Sequence, residues 1–195
     1  MAQLQITGGE LRGRRLSFLP EISRPTSSMA REALFNILTH QYSENLKGAI
    51  LDPFGGSGAL SFEALSRGAE SAYICESHPQ AARELRKNIA KLALESKIFF
   101  SSNDALNEKK LFQFLGTTKF SLVFLDPPYE SRALHKFLLF LKRKRENFDQ
   151  DTLFVLEHNT QFKTGSFPKL NCLDQRIYGE VHFSICQLAS QEPGV

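Results

Sequence analysis

The residues Asp126-Pro127-Pro128-Tyr129 follow the apolar run Phe120–Leu125 and are suited to chemistry on an amine. The exocyclic nitrogen of a nucleobase is a poor nucleophile because its lone pair is delocalised into the ring. The Asp126 carboxylate and the Pro127 carbonyl can accept its two N–H groups, which turns the lone pair toward a methyl group. Prolines carry no N–H to compete for those acceptors, and Tyr129 offers a face on which a base can stack. Reacting atoms held in line in this way gain much of their rate. The same four residues also make an ordinary rigid turn, since Pro127 biases Asp126 toward extended geometry.

A second stretch, Ile50–Gly58 (ILDPFGGSG), joins an apolar run ending in Asp52 to an alanine- and leucine-rich segment. Gly55, Gly56 and Gly58 lack a Cβ, so a bulky cofactor can lie against bare main chain. A phosphate-binding P-loop is excluded because no Gly-Lys-Ser/Thr follows the glycines. Gly56-x-Gly58-x-x-Ser61 nearly matches a dinucleotide-binding turn, with Glu76 about 20 residues on where a ribose-binding carboxylate belongs. The related turn that holds S-adenosylmethionine also has a ribose-binding carboxylate after the next strand. The loop alone does not separate these two cofactors.

Strands alternate with helices from residue 46 onward, which implies an α/β fold with a doubly wound, mostly parallel seven-stranded sheet. The strands are expected at 49–51, 71–75, 98–101, 120–125, 153–157, 175–178 and 181–188, the last two forming an antiparallel hairpin at Gly179-Glu180. Helices are expected at 59–66, 79–94, 106–115 and 133–144. Four of the strands end in polar residues: Asp52, Glu76, Asn103-Asp104 and Asp126. Ligands bind along the rim where the carboxyl ends of such strands meet. Each of these residues alone reads equally well as a helix cap or a solvated loop residue. Residues 1–45 are expected to form a small extension, with a β-hairpin around Gly8-Gly9 and Gly13 and a helix over 29–40. In it Arg12, Arg14 and Arg15 crowd a glycine-rich turn, with Arg24 further on, and these guanidiniums can grip phosphates. The catalytic domain is expected to span 46–195.

Composition narrows the class. The chain has 195 residues, 42% hydrophobic and 23% charged, with a net charge of +3, so a nucleic-acid surface must come from local clustering. No apolar run approaches the ~18 residues of a membrane span, and the N-terminus has no signal-peptide core, so the expected location is cytoplasmic. Cys75, Cys172 and Cys186 form no CxxC pair, and no histidines have ligand spacing, so no metal is expected. A C5-pyrimidine methylation mechanism needs a nucleophilic cysteine, which none of the rim motifs supplies. The run Lys142–Arg145 reads as a solvated helix end favoured by the dipole.

The motifs together resemble a known family. Asp126-Pro127-Pro128-Tyr129 looks like the (D/N)PP(Y/F) signature of amino-methyltransferases, and it follows the glycine loop in the order those enzymes use. GGELRGRRL, RPTSSMAREALFNIL and LDPFGGSGALSFEALSRGA closely resemble the RsmD-type 16S rRNA guanine-N2 methyltransferases. These stretches and the DPPY motif fall within residues 8–129. Gly56 stands where alanine is frequent in that family, and Pro53 makes the loop look somewhat like that of DNA enzymes. The resemblance implies a Rossmann-like class I methyltransferase that uses S-adenosylmethionine on a guanine of 16S rRNA, free or within an assembling small subunit, as a monomer. It also implies a cofactor set of Gly55 and Gly58 at the methionine part, Glu76 at the ribose and Asp104 at the adenine amine, completed by Asp52, Phe54 and Asn103. Asp126, Pro127, Pro128 and Tyr129 would be catalytic, and Arg12, Arg14, Arg15 and Arg24 would bind RNA. Competing readings are a nicotinamide oxidoreductase, which leaves DPPY unexplained, a DNA adenine-N6 or protein glutamine-N5 methyltransferase, and a non-catalytic RNA-binding module.

Overall fold

A computed structural model describes residues 1–23, 25–127, 133–141, 143, 145–158 and 170–189. Among them, seven strands form one sheet in the order β5-β4-β3-β6-β7-β9-β8. These are β3 (Ala49–Asp52), β4 (Ser71–Cys75), β5 (Ile98–Ser101), β6 (Leu122–Leu125), β7 (Leu153–His158), β8 (Leu170–Tyr178) and β9 (Val181–Leu188). β3 to β7 pair in parallel, whereas β9 runs antiparallel to both β7 and β8. Every residue of β6 and β7 is buried, as expected for central parallel strands covered on both faces. Among the described residues no helix is long and apolar enough to cross a membrane.

Local signals explain most helix limits. α1 (Ser28–Gln41) starts where the Ser27 hydroxyl accepts the Ala30 N–H, and α4 (Pro79–Lys91) starts on a proline that has no N–H to lose. α4 ends three residues earlier than expected, just before Ala93, whose φ is +53°. α5 (Glu108–Leu115) begins two residues late because the Asp104 carboxylate takes the Leu106 N–H into a local turn and Asn107 becomes the cap. α3 (Ala59–Ser66) and α6 (Ala133–Leu141) complete the crossovers, and a short α2 (Ser43–Lys47) that the sequence pattern did not reveal precedes β3. β8 begins at Leu170, five residues before its expected start. The Ile50, Phe62, Leu85 and Phe124 side chains fill one face of the sheet, and Val123, Phe137, Phe140 and Phe154 fill the other.

The N-terminal residues do not stand apart. β1 (Ala2–Gln5) and β2 (Arg15–Phe18) form an antiparallel hairpin, and Leu4, Ile6 and Leu16 enter the same apolar cluster as Ile50 and Phe124. A buried acid on α3, Glu63, fastens this hairpin. Its carboxylate accepts the Thr7 N–H at 2.9 Å, the Thr7 hydroxyl at 2.7 Å and the Gly8 N–H at 2.8 Å. It also accepts Arg31 Nε at 3.3 Å and Arg67 Nε at 3.0 Å. Burial pushes the Glu63 carboxyl up, but the Thr7 and Arg67 hydrogen bonds outweigh burial and hold it below its ordinary value. The fully buried Arg31 also donates from each of its two terminal nitrogens, to the Thr26 and Gln5 carbonyls. Gly9 has φ +74°, and a Cβ there would collide with the Ser66 carbonyl, so Gly8-Gly9 is where the hairpin loop meets α3.

Candidate active site

The carboxyl ends of β3, β4 and β6 converge on a cavity of about 700 Å³. Its wall includes Phe54, Gly56, Glu76, Asp104, Asp126 and Pro127 from the motifs singled out in the sequence. An adjoining recess of about 30 Å³ adds Asp52 and Gly55 and again touches Asp126. The glycine loop is stitched to the sheet by the Gly55 N–H, which donates to the Cys75 carbonyl at 2.8 Å. Glu76 is held by main chain: one carboxylate oxygen accepts the Gly56 N–H at 2.8 Å and the other accepts the His78 N–H at 2.6 Å. Each oxygen keeps a further lone pair for a hydroxyl donor.

Gly58 and Gly55 also meet a packing requirement beneath the loop. Gly58 has φ +75°, and a Cβ on it would strike Leu85 and Phe62, beneath the loop. A Cβ on Gly55 would strike Ile74. Their missing side chains let the loop settle onto its own core, while Gly56 lines the cavity and Gly55 the adjoining recess. Asn103 is not in the cavity wall: its amide donates to Ser101 Oγ at 3.0 Å, and its carbonyl accepts Lys110 Nζ at 3.0 Å. Arg12 and Arg14 on the hairpin loop, and Arg15 at the start of β2, are exposed and make no ion pair among the described residues. Arg24, Pro128 and Tyr129 lie outside the described residues, as do Lys142 and Lys144.

The ionisable groups at the rim differ sharply. Asp52 is buried and accepts the Ser61 hydroxyl at 2.7 Å, yet burial pushes its carboxyl up to about 6. Asp126 is raised well above the ordinary value by burial, then by the nearby Glu157 and Asp52 charges. The Cys75 thiol is pushed up to about 12, again by burial, which leaves it inert as a nucleophile.

Several wall residues were not legible in the sequence. Pro20, Glu21, Ile22 and Ser23, from the connection between β2 and α1, close one side of the cavity. Their stretch has no periodicity, and only the return path of the chain places it there. Ala105 follows Asp104 into the wall and was findable as the next residue past a strand end. Glu157, the penultimate residue of β7, is not in the wall, but it is a further buried acid whose charge acts on Asp126.

The strand order, the glycine loop after β3 and the acidic rim define a Rossmann-like methyltransferase. The fold matches that of the solved "M.jannaschii tRNA m1G37 methyltransferase" with a TM-score of 0.63, at 18% identity over 92% of this chain and 55% of that one. The family model described as "Conserved hypothetical protein 95" matches residues 4–187, and the chain belongs to this family, the RsmD-type methyltransferases. "Ribosomal RNA small subunit methyltransferase D" of Escherichia coli (strain K12) is 34% identical over 194 residues, 97% of this chain and 92% of that protein. The solved structure of the Thermus hypothetical protein TTHA0928 has a TM-score of 0.77 at 28% identity, covering 95% of this chain and 99% of that one.

Proposed function

We propose that this chain methylates the exocyclic N2 amine of one guanine in small-subunit ribosomal RNA, with S-adenosylmethionine as donor. The observation that carries the reading is the make-up of the cavity wall, in which Asp126 and Pro127 adjoin a cradle whose charged side chains are acidic. Glu21, Glu76, Asp104 and Asp126 line it, with no lysine or arginine among the described lining residues. Such a wall repels the pyrophosphate of a nicotinamide dinucleotide and favours a cofactor with a positive centre and hydroxyl and amine donors. Glu76 would take the ribose hydroxyls and Asp104 the adenine amine. When bound, this cofactor supplies an electrophilic methyl group on a sulfonium. Asp126 and the Pro127 carbonyl would hold the two N–H groups of the guanine amine. Its nitrogen would take the methyl as the sulfonium C–S bond breaks to leave a neutral thioether, with the amine proton passing to the Asp126 carboxylate. The family relatives named for small-subunit rRNA support the choice of substrate.

Mapping modified nucleotides in rRNA from a strain lacking the gene, against its parent, tests this reading. The expected result is loss of a single N2-methylguanine from the small-subunit rRNA and its return with a plasmid copy. Unchanged rRNA, with labelled methyl appearing instead in DNA adenine or protein glutamine, would reassign the enzyme.

The exposed arginines of the hairpin loop are proposed to hold RNA phosphates, contributing affinity and not base choice. Changing Arg12, Arg14 and Arg15 together to Ala should weaken RNA binding. It should also flatten the dependence of log K on log salt by up to about 2 units, three contacts at ~0.7 each. Cofactor affinity should be untouched. An unaltered salt slope would make these side chains merely solvated.

A further inference from the structure

We propose that Cys172 and Cys186 form a modification site, a dithiol that a small-molecule disulfide oxidises to a reversible cross-strand disulfide. The pair lines neither the cavity nor its recess, so the site is independent of the base and cofactor the enzyme uses.

Cys172 lies on β8, the last strand of the described sheet, and stands directly opposite Cys186 of β9. Residues directly opposite in an antiparallel pair have Cα atoms about 4.5–5.5 Å apart and side chains on the same face. A disulfide spans about 4.4–6.8 Å between Cα atoms, so these two cysteines can be joined without moving either strand. The placement depends on a bulge, because the register shifts between Cys172 and Asp174. Continued unbroken from the pairing of Asp174 with Ile185, the ladder would set Leu173 against Cys186. The extra residue brings Cys172 there instead, and Leu173 is left exposed. The closeness of the two sulfurs also shows in the Cys186 thiol, which is pushed up by burial and then by Cys172.

The two thiols differ in access, and this sets the order of steps. Cys172 is exposed, whereas Cys186 is buried in the same apolar cluster as Val123 and Phe154. The third thiol, Cys75, is buried and stands opposite Ser101. The Cys172 thiolate attacks the S–S bond of the reagent, forming a mixed disulfide and releasing one thiolate. The Cys186 sulfur then gives up its proton, attacks the Cys172 sulfur and expels the second thiolate. The protein loses two electrons and two protons, and the reagent is reduced to two thiols. An external dithiol reverses the reaction by attack at the exposed Cys172 sulfur. Once formed, the bond staples the edge strand to the strand inside it.

The test incubates the folded full-length protein with oxidised glutathione, blocks free thiols with iodoacetamide and digests without reductant. Mass spectrometry should find the Cys172 and Cys186 peptides joined and Cys75 unlinked. The Tm of the oxidised protein should rise by roughly 5–10 °C, and dithiothreitol should reverse both changes. Cys172→Ser, at an exposed position, should melt like the reduced wild type and show neither the link nor the rise. Cys186→Ser should stop at a glutathione adduct on Cys172, which captures the intermediate. Wild-type protein that stops at that adduct, joins Cys172 to a second copy, or keeps both thiols free would overturn the proposal. A link that forms only in denaturant would overturn it too, because the folded strands would then be holding the sulfurs apart. None of these readouts involves methyl transfer, so the outcome is independent of the guanine-N2 reading.

Discussion

Asp126→Ala is expected to keep the fold and most of the cofactor affinity while losing about 10³-fold in methyl transfer at saturating cofactor and RNA. Asp126 follows the fully buried strand β6 and is outside it, so truncating its side chain leaves the β6 core intact. Its carboxylate is needed when an amine must be oriented, which places the loss in kcat and not in cofactor binding. Asp126→Asn keeps one acceptor oxygen and should retain more activity than Ala. The two should also differ from wild type in pH dependence. Burial, Glu157 and Asp52 raise the Asp126 carboxyl, so the ionised acceptor becomes available only as pH rises above the usual carboxylate range. The wild-type rate should therefore climb with pH on the acid side, and the Asn variant should climb less steeply. Single-turnover transfer of labelled methyl, with thermal melting as the fold control, reads both effects. Near-normal turnover by the Ala variant would reduce the DPPY motif to a structural turn.

Glu63→Ala should destabilise the protein by about 3–5 kcal/mol, the cost of leaving a buried cation without its partner. For a chain of this size that is a fall in Tm of roughly 10 °C. Arg31 is fully buried, and the Thr7 and Gly8 N–H groups would lose their acceptor at the same time. Glu63→Gln keeps the shape and one acceptor and should lose less. The pH window follows from the lowered Glu63 value. A depressed carboxyl contributes its full stability above its unfolded pKa, about 4.3, and loses it as pH falls through the folded value. The gap in Tm between wild type and Glu63→Gln should thus be constant above about pH 5 and close in more acid solution. A Glu63→Ala protein melting within about 2 °C of wild type would show that the hairpin is held by apolar contacts alone.

Much of the fold was legible because parallel β/α units announce themselves through apolar runs broken by glycine and acid. The strand-end rule then places Glu76, Asp104 and Asp126 around one cavity from sequence position alone. Features that depend on a second element were hidden. Glu63 sits in the segment Ala59–Ser66, where a lone acid among apolar residues reads as the solvent side of a helix, and only the returning hairpin buries it. Gly58 was legible as a position that needs glycine, but the packing of Leu85 from α4 beneath it was not. Asn103 and Asp104 are neighbours at the same strand end. Lys110, in the first turn of α5, holds the Asn103 side chain while Asp104 faces the cavity.

The connection running from the arginine-bearing hairpin to α1 forms part of the cavity wall, and Thr26 at its end is tied to Glu157. The arginine hairpin is therefore not a detachable cassette. Grafting the first 45 residues of one relative onto the body of another would exchange a wall of the reaction chamber along with the proposed grip on RNA. Such a chimera must carry matching partners at Glu63, Ser66, Arg67 and Glu157 to fit.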